Sequence, residues 1–200
     1  MTSPSVLLLH GYEHTRPRDH WLWWLHDELT ARGATVRYPQ LPNPMEPRLN
    51  EWLRAGRTEL EALERDAGGS GNAERGGVAE GERLVVTHSL GGILWHHLAA
   101  SGARVNRVLI VAPPSYERLT EHLASFSLDA IDESATGTAA PTTVLARERD
   151  PYRAIPVAEL AAAWRATAAE LPGEGHLNPD DGHGPLPPAL EWVLTGKVTT

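Results

Sequence analysis

Short, continuous apolar runs, separated by segments with helical spacing, are the feature of this sequence that most limits its fold. The first run occupies residues 6–9 and stops at a His-Gly pair. An uninterrupted apolar run of this length is typical of a strand that is buried on both faces, as in a parallel sheet. Further strands are predicted near residues 36–38, 84–86, 105–112, 142–146 and 165–171. Because these strands alternate with helical segments, we predict an α/β fold: a doubly wound, mostly parallel sheet of about six strands.

The segments between the predicted strands carry helix signals. Asp19 is a suitable cap for a helix over residues 20–32, and Pro156 suits the first turn of a later helix. Other helices are predicted over residues 51–64, 90–101, 115–123 and 188–194. Residues 66–82 contain six glycines and little that is apolar. We therefore predict a flexible surface loop there, inside a single domain of residues 1–200.

Charge and composition exclude several classes of protein. The 18 basic residues against 26 acidic ones give a net charge of −8, which argues against nucleic-acid and anionic-membrane partners. The chain has no cysteine, so disulfides, cysteine zinc sites and thiol catalysis are excluded. The apolar run at residues 6–9 is too short for a signal peptide or a membrane span. We expect a cytoplasmic protein, and its oligomeric state stays open.

A serine at the end of a predicted strand is the sharpest chemical signal. The strand at residues 84–86 runs into Thr-His-Ser-Leu-Gly-Gly, in which Ser89 stands where a helix begins. This succession is typical of a nucleophile elbow, whose tight turn lifts the serine hydroxyl above the edge of the sheet. Gly91 supplies the second glycine of the G-x-S-x-G pattern, whereas Thr87 replaces the first. The alternative is that Ser89 only caps the helix, as serine does readily.

Two residues further along the chain match the partners that such a serine needs. A serine nucleophile requires a histidine base and an acid to orient it, and in α/β-hydrolases they follow in the order Ser, acid, His. Asp150 follows the strand at residues 142–146, and His176 follows the last strand. Each alone has a simpler explanation, because Asp-Pro is typical of a turn and a lone histidine of the surface. His183 ranks second as the base because it follows no strand.

Further residues are predicted around this centre. The backbone N–H groups of Leu90 and Tyr12 are the candidate oxyanion donors, because one opens a helix and the other follows the first strand. We interpret His10 as a residue that fixes this loop, not as a ligand or base. Trp21, which follows the oxyanion loop, and Tyr152, close to the predicted acid, are the candidate substrate contacts.

The ten histidines do not predict a metal site or a cofactor. Adjacent residues on a helix, such as His96 and His97, point about 100° apart and cannot share one ion. The sequence also lacks a HExxH motif or a similar ligand spacing. We therefore predict a site without metal or cofactor.

Four segments together carry a family resemblance. They are His10-Gly11, the Thr-His-Ser-Leu-Gly-Gly run, Asp150-Pro-Tyr and Gly-His176-Leu-Asn. In this order they resemble the retinoblastoma-binding-protein-nine (YdeN-type) serine hydrolases over nearly the whole chain, with residues 66–82 as an insertion. The resemblance implies a small α/β-hydrolase without a large lid domain, with Ser89, Asp150 and His176 as the catalytic residues.

These observations lead to one prediction of function and one alternative. We predict a carboxylesterase-like serine hydrolase that cleaves small carboxyl esters through an acyl-enzyme, with thioesters and small amides open to the same chemistry. Its partner is a small acyl substrate. The alternative is a catalytically weak α/β-hydrolase fold that acts as a protein-binding module, since a fold does not determine a function. The presence of all three catalytic residue types favours the enzyme.

Overall fold

Six parallel strands form one sheet in the computed structural model, which describes residues 3–68, 81–132 and 134–199. The strands are β1 (Ser5–Leu9), β2 (Thr35–Arg37), β3 (Arg83–His88), β4 (Arg107–Val111), β5 (Thr142–Arg149) and β6 (Thr167–Glu174). Their order is β2-β1-β3-β4-β5-β6, and every neighbouring pair is parallel. The chain thus winds outward from β1 in one direction and then in the other, which confirms the predicted doubly wound fold.

Helices cover both faces of the sheet. They are α1 (Trp21–Ala31), α2 (Leu49–Ala67), α3 (Leu90–Ala100), α4 (Ala135–Ala139), α5 (Val157–Ala163) and α6 (Pro187–Thr195). Successive residues of a strand point to opposite faces, so Leu7 and Leu9 pack against α2 and α3, whereas Val6 and Leu8 pack against α1 and α6. Burial on both faces explains why β1 reads as a continuous apolar run.

The described part of the connection between β4 and β5 contains only short helical elements. Its described residues form two 3₁₀ turns, Tyr116–Arg118 and Glu121–Phe126, followed by the five-residue α4. The predicted helix over 115–123 is therefore replaced by these two turns. The described residues form no large lid domain. In the same part, no helix has the length and apolar character needed to cross a membrane.

Several predicted boundaries differ from the structure, each for a physical reason. The cap of α1 is His20 and not Asp19, because the His20 imidazole accepts the Leu22 N–H. Helix α2 continues to Ala67, and Arg37 pairs with Asp66 in its last turn. The predicted loop over 66–82 therefore begins later, and its residues 69–80 lie outside the described residues.

The last two strands also extend further than predicted. Strand β5 continues to Arg149 because it pairs with β6 as far as Glu174. Asp150 therefore follows β5 directly, and His176 follows β6 by two residues. Since the carboxyl ends of parallel strands meet at the same edge, the ends of β3, β5 and β6 bring Ser89, Asp150 and His176 to one side of the sheet.

Candidate active site

Ser89 occupies a strained turn between β3 and α3. Its backbone angles are φ 53° and ψ −126°, and its N–H donates to the Val111 carbonyl at 2.9 Å. A residue other than glycine in such a conformation costs about 1–3 kcal/mol and is typical of functional sites. The side chain makes no capping hydrogen bond to the helix. The Ser89 hydroxyl lies 2.8 Å from His176 Nε2 instead, so the capping alternative is wrong.

Three glycines allow the chain to pack tightly around this turn. A Cβ atom on Gly91 would lie 2.5 Å from the Leu9 carbonyl oxygen, and one on Gly92 would lie 2.6 Å from Ile110. A Cβ on Gly11 would lie 2.7 Å from the Ser89 Cβ. These contacts bring the loop after β1 directly against the elbow. The elbow forms with Thr87, fully buried, in place of the usual first glycine.

Asp150 and His176 complete a hydrogen-bonded array with the serine. The two carboxylate oxygens of Asp150 lie 3.1 and 2.9 Å from His176 Nδ1, and both residues are buried. Because a carboxylate only accepts, Nδ1 donates, and the neutral ring then has Nε2 free to accept the Ser89 hydroxyl proton. The Asp150 carboxylate also accepts the Tyr152 N–H at 2.9 Å. This arrangement can raise the nucleophilicity of a serine oxygen.

The backbone that carries His176 is held from three sides. The Asp181 carboxylate accepts the His176 N–H. His88 Nε2 donates to the His176 carbonyl, and Trp21 Nε1 donates to the Leu177 carbonyl, both at 2.9 Å. Sequence reasoning missed both Asp181, five residues after His176, and His88, which lies on the distant strand β3. The available local signals were the Asn-Pro start of the turn that bears Asp181 and the position of His88 directly before the serine.

The other predicted site residues have different surroundings. Trp21 was predicted to contact the substrate, but its side chain is fully buried and instead supports the His176 loop. Tyr152 is half exposed, and its ring centre lies 4.5 Å from that of His176. The Tyr12 hydroxyl lies 3.0 Å from Nε2 of His122, on the second 3₁₀ turn. His183 Nδ1 faces the Arg147 guanidinium at 3.3 Å.

A row of buried histidine rings leads from the loop after β1 to His176. Consecutive ring centres are 4.9 Å apart for His10 and His14, 4.5 Å for His14 and His20, 4.9 Å for His20 and His88, and 5.0 Å for His88 and His176. Across the described ranges, no three His, Asp or Glu side chains are grouped so that they could hold a metal ion.

Burial keeps these histidines neutral. It lowers the pKa of His10 to about 4, of His14 to about 2 and of His20 to about 3, and it lowers the pKa of His88 well below its ordinary value. Three rings also accept a backbone N–H, which only a neutral imidazole can do. These bonds run from Leu41 to His10 Nε2, from Arg16 to His14 Nδ1 and from Leu22 to His20 Nδ1, at 2.8, 3.0 and 3.1 Å.

The fold and the site define a class of protein. A parallel sheet with a serine elbow after β3, an acid after β5 and a histidine after β6 is the architecture of an α/β-hydrolase. A model of the serine hydrolase family matches residues 74–194, which is more than half of the chain. The chain belongs to this family and is a serine hydrolase. Membership therefore favours the predicted enzyme over the protein-binding module.

Known relatives agree with this assignment. The chain is 39% identical to YdeN of Bacillus subtilis (strain 168) over 49 residues, a stretch that covers 24% of this chain and a quarter (25%) of YdeN. The crystal structure of YdeN from B. subtilis superposes with a TM-score of 0.77 at 24% identity, covering 96% of this chain and 97% of that one.

More distant solved structures share the fold. A YdeN-like protein of Pectobacterium atrosepticum gives a TM-score of 0.70 at 19% identity, covering 96% and 90% of the two chains. Est1E of Butyrivibrio proteoclasticus gives 0.62 at 13% identity, covering 88% and 80%. The comparisons support the predicted resemblance to YdeN-type serine hydrolases. The resemblance to retinoblastoma-binding protein nine stays a prediction.

Proposed function

We propose that this serine hydrolase cleaves small carboxyl esters through an acyl-enzyme, with Ser89 as nucleophile, His176 as base and Asp150 as the orienting acid. The observation that carries the proposal is the array itself. The Ser89 hydroxyl lies 2.8 Å from His176 Nε2, while Asp150 binds the opposite ring nitrogen at 2.9 Å. This is the geometry that lets a histidine remove the serine proton as the oxygen attacks a carbonyl carbon.

The proposed reaction has an acylation and a deacylation step, and His176 transfers the proton in both. Ser89 Oγ attacks the ester carbonyl and its proton passes to His176 Nε2, which then gives it to the departing alkoxide. The Asp150 carboxylate stabilises the imidazolium and holds the ring in orientation. A water molecule then attacks the acyl-enzyme, His176 takes one of its protons and returns it to Ser89, and the carboxylic acid is released. His176 carries every proton transfer and Ser89 forms the covalent bond, so the scheme requires no cofactor.

Two backbone amides are proposed to stabilise the tetrahedral oxyanion. Leu90 is the first residue of α3, where N–H groups lack partners within the helix and the helix dipole favours negative charge. Tyr12 follows Gly11, which packs directly against Ser89. Preorganised donors of this kind contribute about 2.7–4 kcal/mol each to stabilising the transition state in well-studied enzymes.

The surroundings of Ser89 favour small substrates in water. The described part of the connection between β4 and β5 forms only short 3₁₀ turns and α4, with no large lid domain. The half-exposed ring of Tyr152 lies against His176 and is the proposed contact for the substrate. Thioesters and small amides can react by the same steps, so a substrate panel must include them. We further propose that residues 1–200 act as one domain.

Labelling with a fluorophosphonate tests the proposal. The reagent phosphorylates an activated serine oxygen and leaves ordinary hydroxyls unreacted. We expect stoichiometric labelling of Ser89 and turnover of p-nitrophenyl acetate, both abolished in Ser89→Ala. The matched control is Ser101→Ala, which removes a hydroxyl that only donates to the Leu98 carbonyl at the other end of α3. A label on a different residue, or a folded protein that neither labels nor turns over esters, would contradict the proposal.

A further inference from the structure

His10 stands in one defined tautomer at the start of the loop after β1. Its Nε2 lies 2.8 Å from the Leu41 N–H and 3.1 Å from the side-chain amide of Gln40, both of which donate to it. The proton of the neutral ring is therefore on Nδ1. Nδ1 lies 2.9 Å from the Gly11 carbonyl oxygen and donates to it. The ring is fully buried, which lowers its pKa to about 4 and keeps it neutral near pH 7.

The bond to the Gly11 carbonyl has a consequence for the next amide. The described chain has no cis peptide bond, and in a planar trans peptide the C=O and the following N–H point in opposite directions. A fixed Gly11 carbonyl therefore fixes the Tyr12 N–H, which points away from His10. Gly11 lies close beside the nucleophile, since a Cβ there would lie 3.2 Å from Ser89 Oγ.

Without this bond the peptide could rotate. Glycine has little steric restriction of its backbone angles, so the plane between Gly11 and Tyr12 is held by its hydrogen bonds and not by side-chain sterics. A rotated peptide would present its carbonyl oxygen where the N–H is needed, and it would repel a developing oxyanion. On the far side, the Glu13 N–H donates to the Pro44 carbonyl at 2.9 Å and anchors the next peptide.

We propose that His10 is a positioning residue for the oxyanion site: its Nδ1–H holds the Gly11 carbonyl and thereby keeps the Tyr12 N–H directed at the oxygen that becomes negative. The inference rests on the proposed function. It gives a buried histidine outside the Ser89–His176–Asp150 array a defined effect on the transition state, because His10 orients a donor without touching the substrate.

A pair of matched substitutions separates the two nitrogens of His10. The amide group of Asn reaches as far as Nδ1 and can donate to Gly11, whereas that of Gln reaches as far as Nε2 and can accept from Leu41. His10→Gln leaves the Gly11 carbonyl without its donor, and His10→Asn leaves the Leu41 N–H without its acceptor. The Gln40 amide also donates to the His14 carbonyl, so it keeps a partner in both variants, and the two should be destabilised to a similar degree. Only His10→Gln releases the Gly11 carbonyl.

The expected result is a loss of turnover confined to one member of the pair. For p-nitrophenyl acetate we expect His10→Gln to lower kcat about 100-fold, with KM changed less than about threefold, as when one oxyanion donor is lost. His10→Asn should recover most of this loss. A small alkyl trifluoromethyl ketone reports on the same group, because Ser89 adds to its carbonyl carbon and leaves an oxyanion. Its Ki should rise in His10→Gln by a factor similar to the loss in kcat.

The activity of the wild type tests the proposed function, and the comparison of the two His10 variants tests the positioning role. If the wild type is labelled and active, but His10→Gln matches His10→Asn in kcat and in ketone affinity, the positioning role is wrong while the proposed function stands. If the wild type neither labels nor turns over ester, the proposed function fails first. Should both variants unfold, the wild-type Tyr12 amide decides: its proton resonance must move downfield when the ketone binds, and an unmoved resonance overturns the inference.

Discussion

Four buried histidines make this fold sensitive to acid. His10, His14, His20 and His88 are held neutral by burial, which lowers the pKa of each ring from its ordinary value of 6.5. Three of them accept a backbone N–H and would lose this bond on protonation. In the unfolded chain the same rings are free to bind a proton near pH 6.5. The contribution of these rings to the free energy of unfolding is therefore complete above this pH and is lost as the pH falls below it.

The size of the effect follows from the unfolded state alone, because the folded rings stay neutral to well below pH 5.5. Between pH 7.0 and pH 5.5 each ring favours the unfolded state by about 1.2 kcal/mol. The four rings together should lower the free energy of unfolding by about 5 kcal/mol, with about 3.6 protons bound on unfolding at pH 5.5. Domains of this size are stable by only about 5–15 kcal/mol, so the loss is between about a third and the whole of the stability.

Urea unfolding at pH 7.0 and pH 5.5 and constant ionic strength measures this loss through tryptophan fluorescence. A difference below about 1 kcal/mol would refute the reasoning, since it would mean that the folded rings take up protons freely. His20→Asn is the matched variant, because its amide oxygen can replace the acceptor for the Leu22 N–H. We expect this variant to lose about a quarter less free energy of unfolding between pH 7.0 and pH 5.5 than the wild type does. A loss equal to that of the wild type would exclude His20 as a contributor.

Three further predictions concern the site and its supports. Gly91→Ala should lower the free energy of unfolding by more than about 2 kcal/mol and abolish fluorophosphonate labelling, because its Cβ would lie 2.5 Å from the Leu9 carbonyl; a variant with wild-type melting temperature would contradict this. Asp150→Asn should lower kcat about 10⁴-fold with the fold retained in circular dichroism, because His176 then loses the carboxylate that fixes its tautomer. Trp21→Phe should cost about 1–3 kcal/mol in urea unfolding, since a buried carbonyl loses its donor, and it should leave the substrate preference unchanged.

The predicted strands and the order of the chemical residues came from local patterns. An apolar run such as residues 6–9 has no polar face to expose, so it must be a strand buried on both sides. Parallel strands end at a common edge, and this alone brings the residues after β3, β5 and β6 near one another. The elbow at Ser89 was equally local, because small residues and a strand–helix boundary adjoin it in the sequence.

Two supports of the site are contacts between distant segments, which no local pattern contains. Trp21 is separated by 156 residues, and His88 by 88 residues, from the groups that they bind in the loop after β6. The sequence therefore could not show that Trp21 supports this loop instead of lining a pocket. The cap of α1 is His20 instead of Asp19 because the His20 ring accepts the nearby Leu22 N–H. The same ring also packs against His14 and against His88 on a distant strand.

The class of fold, the order in which Ser89, Asp150 and His176 follow their strands, and the presence of ten histidines can all be obtained from the sequence. Folding is what places the rings of His10, His14, His20 and His88 in one buried row next to His176. The physical reason is that composition and periodicity specify which side chains avoid water. The protonation state of a ring depends instead on which backbone N–H and which neighbouring rings surround it, and folding alone assembles those groups.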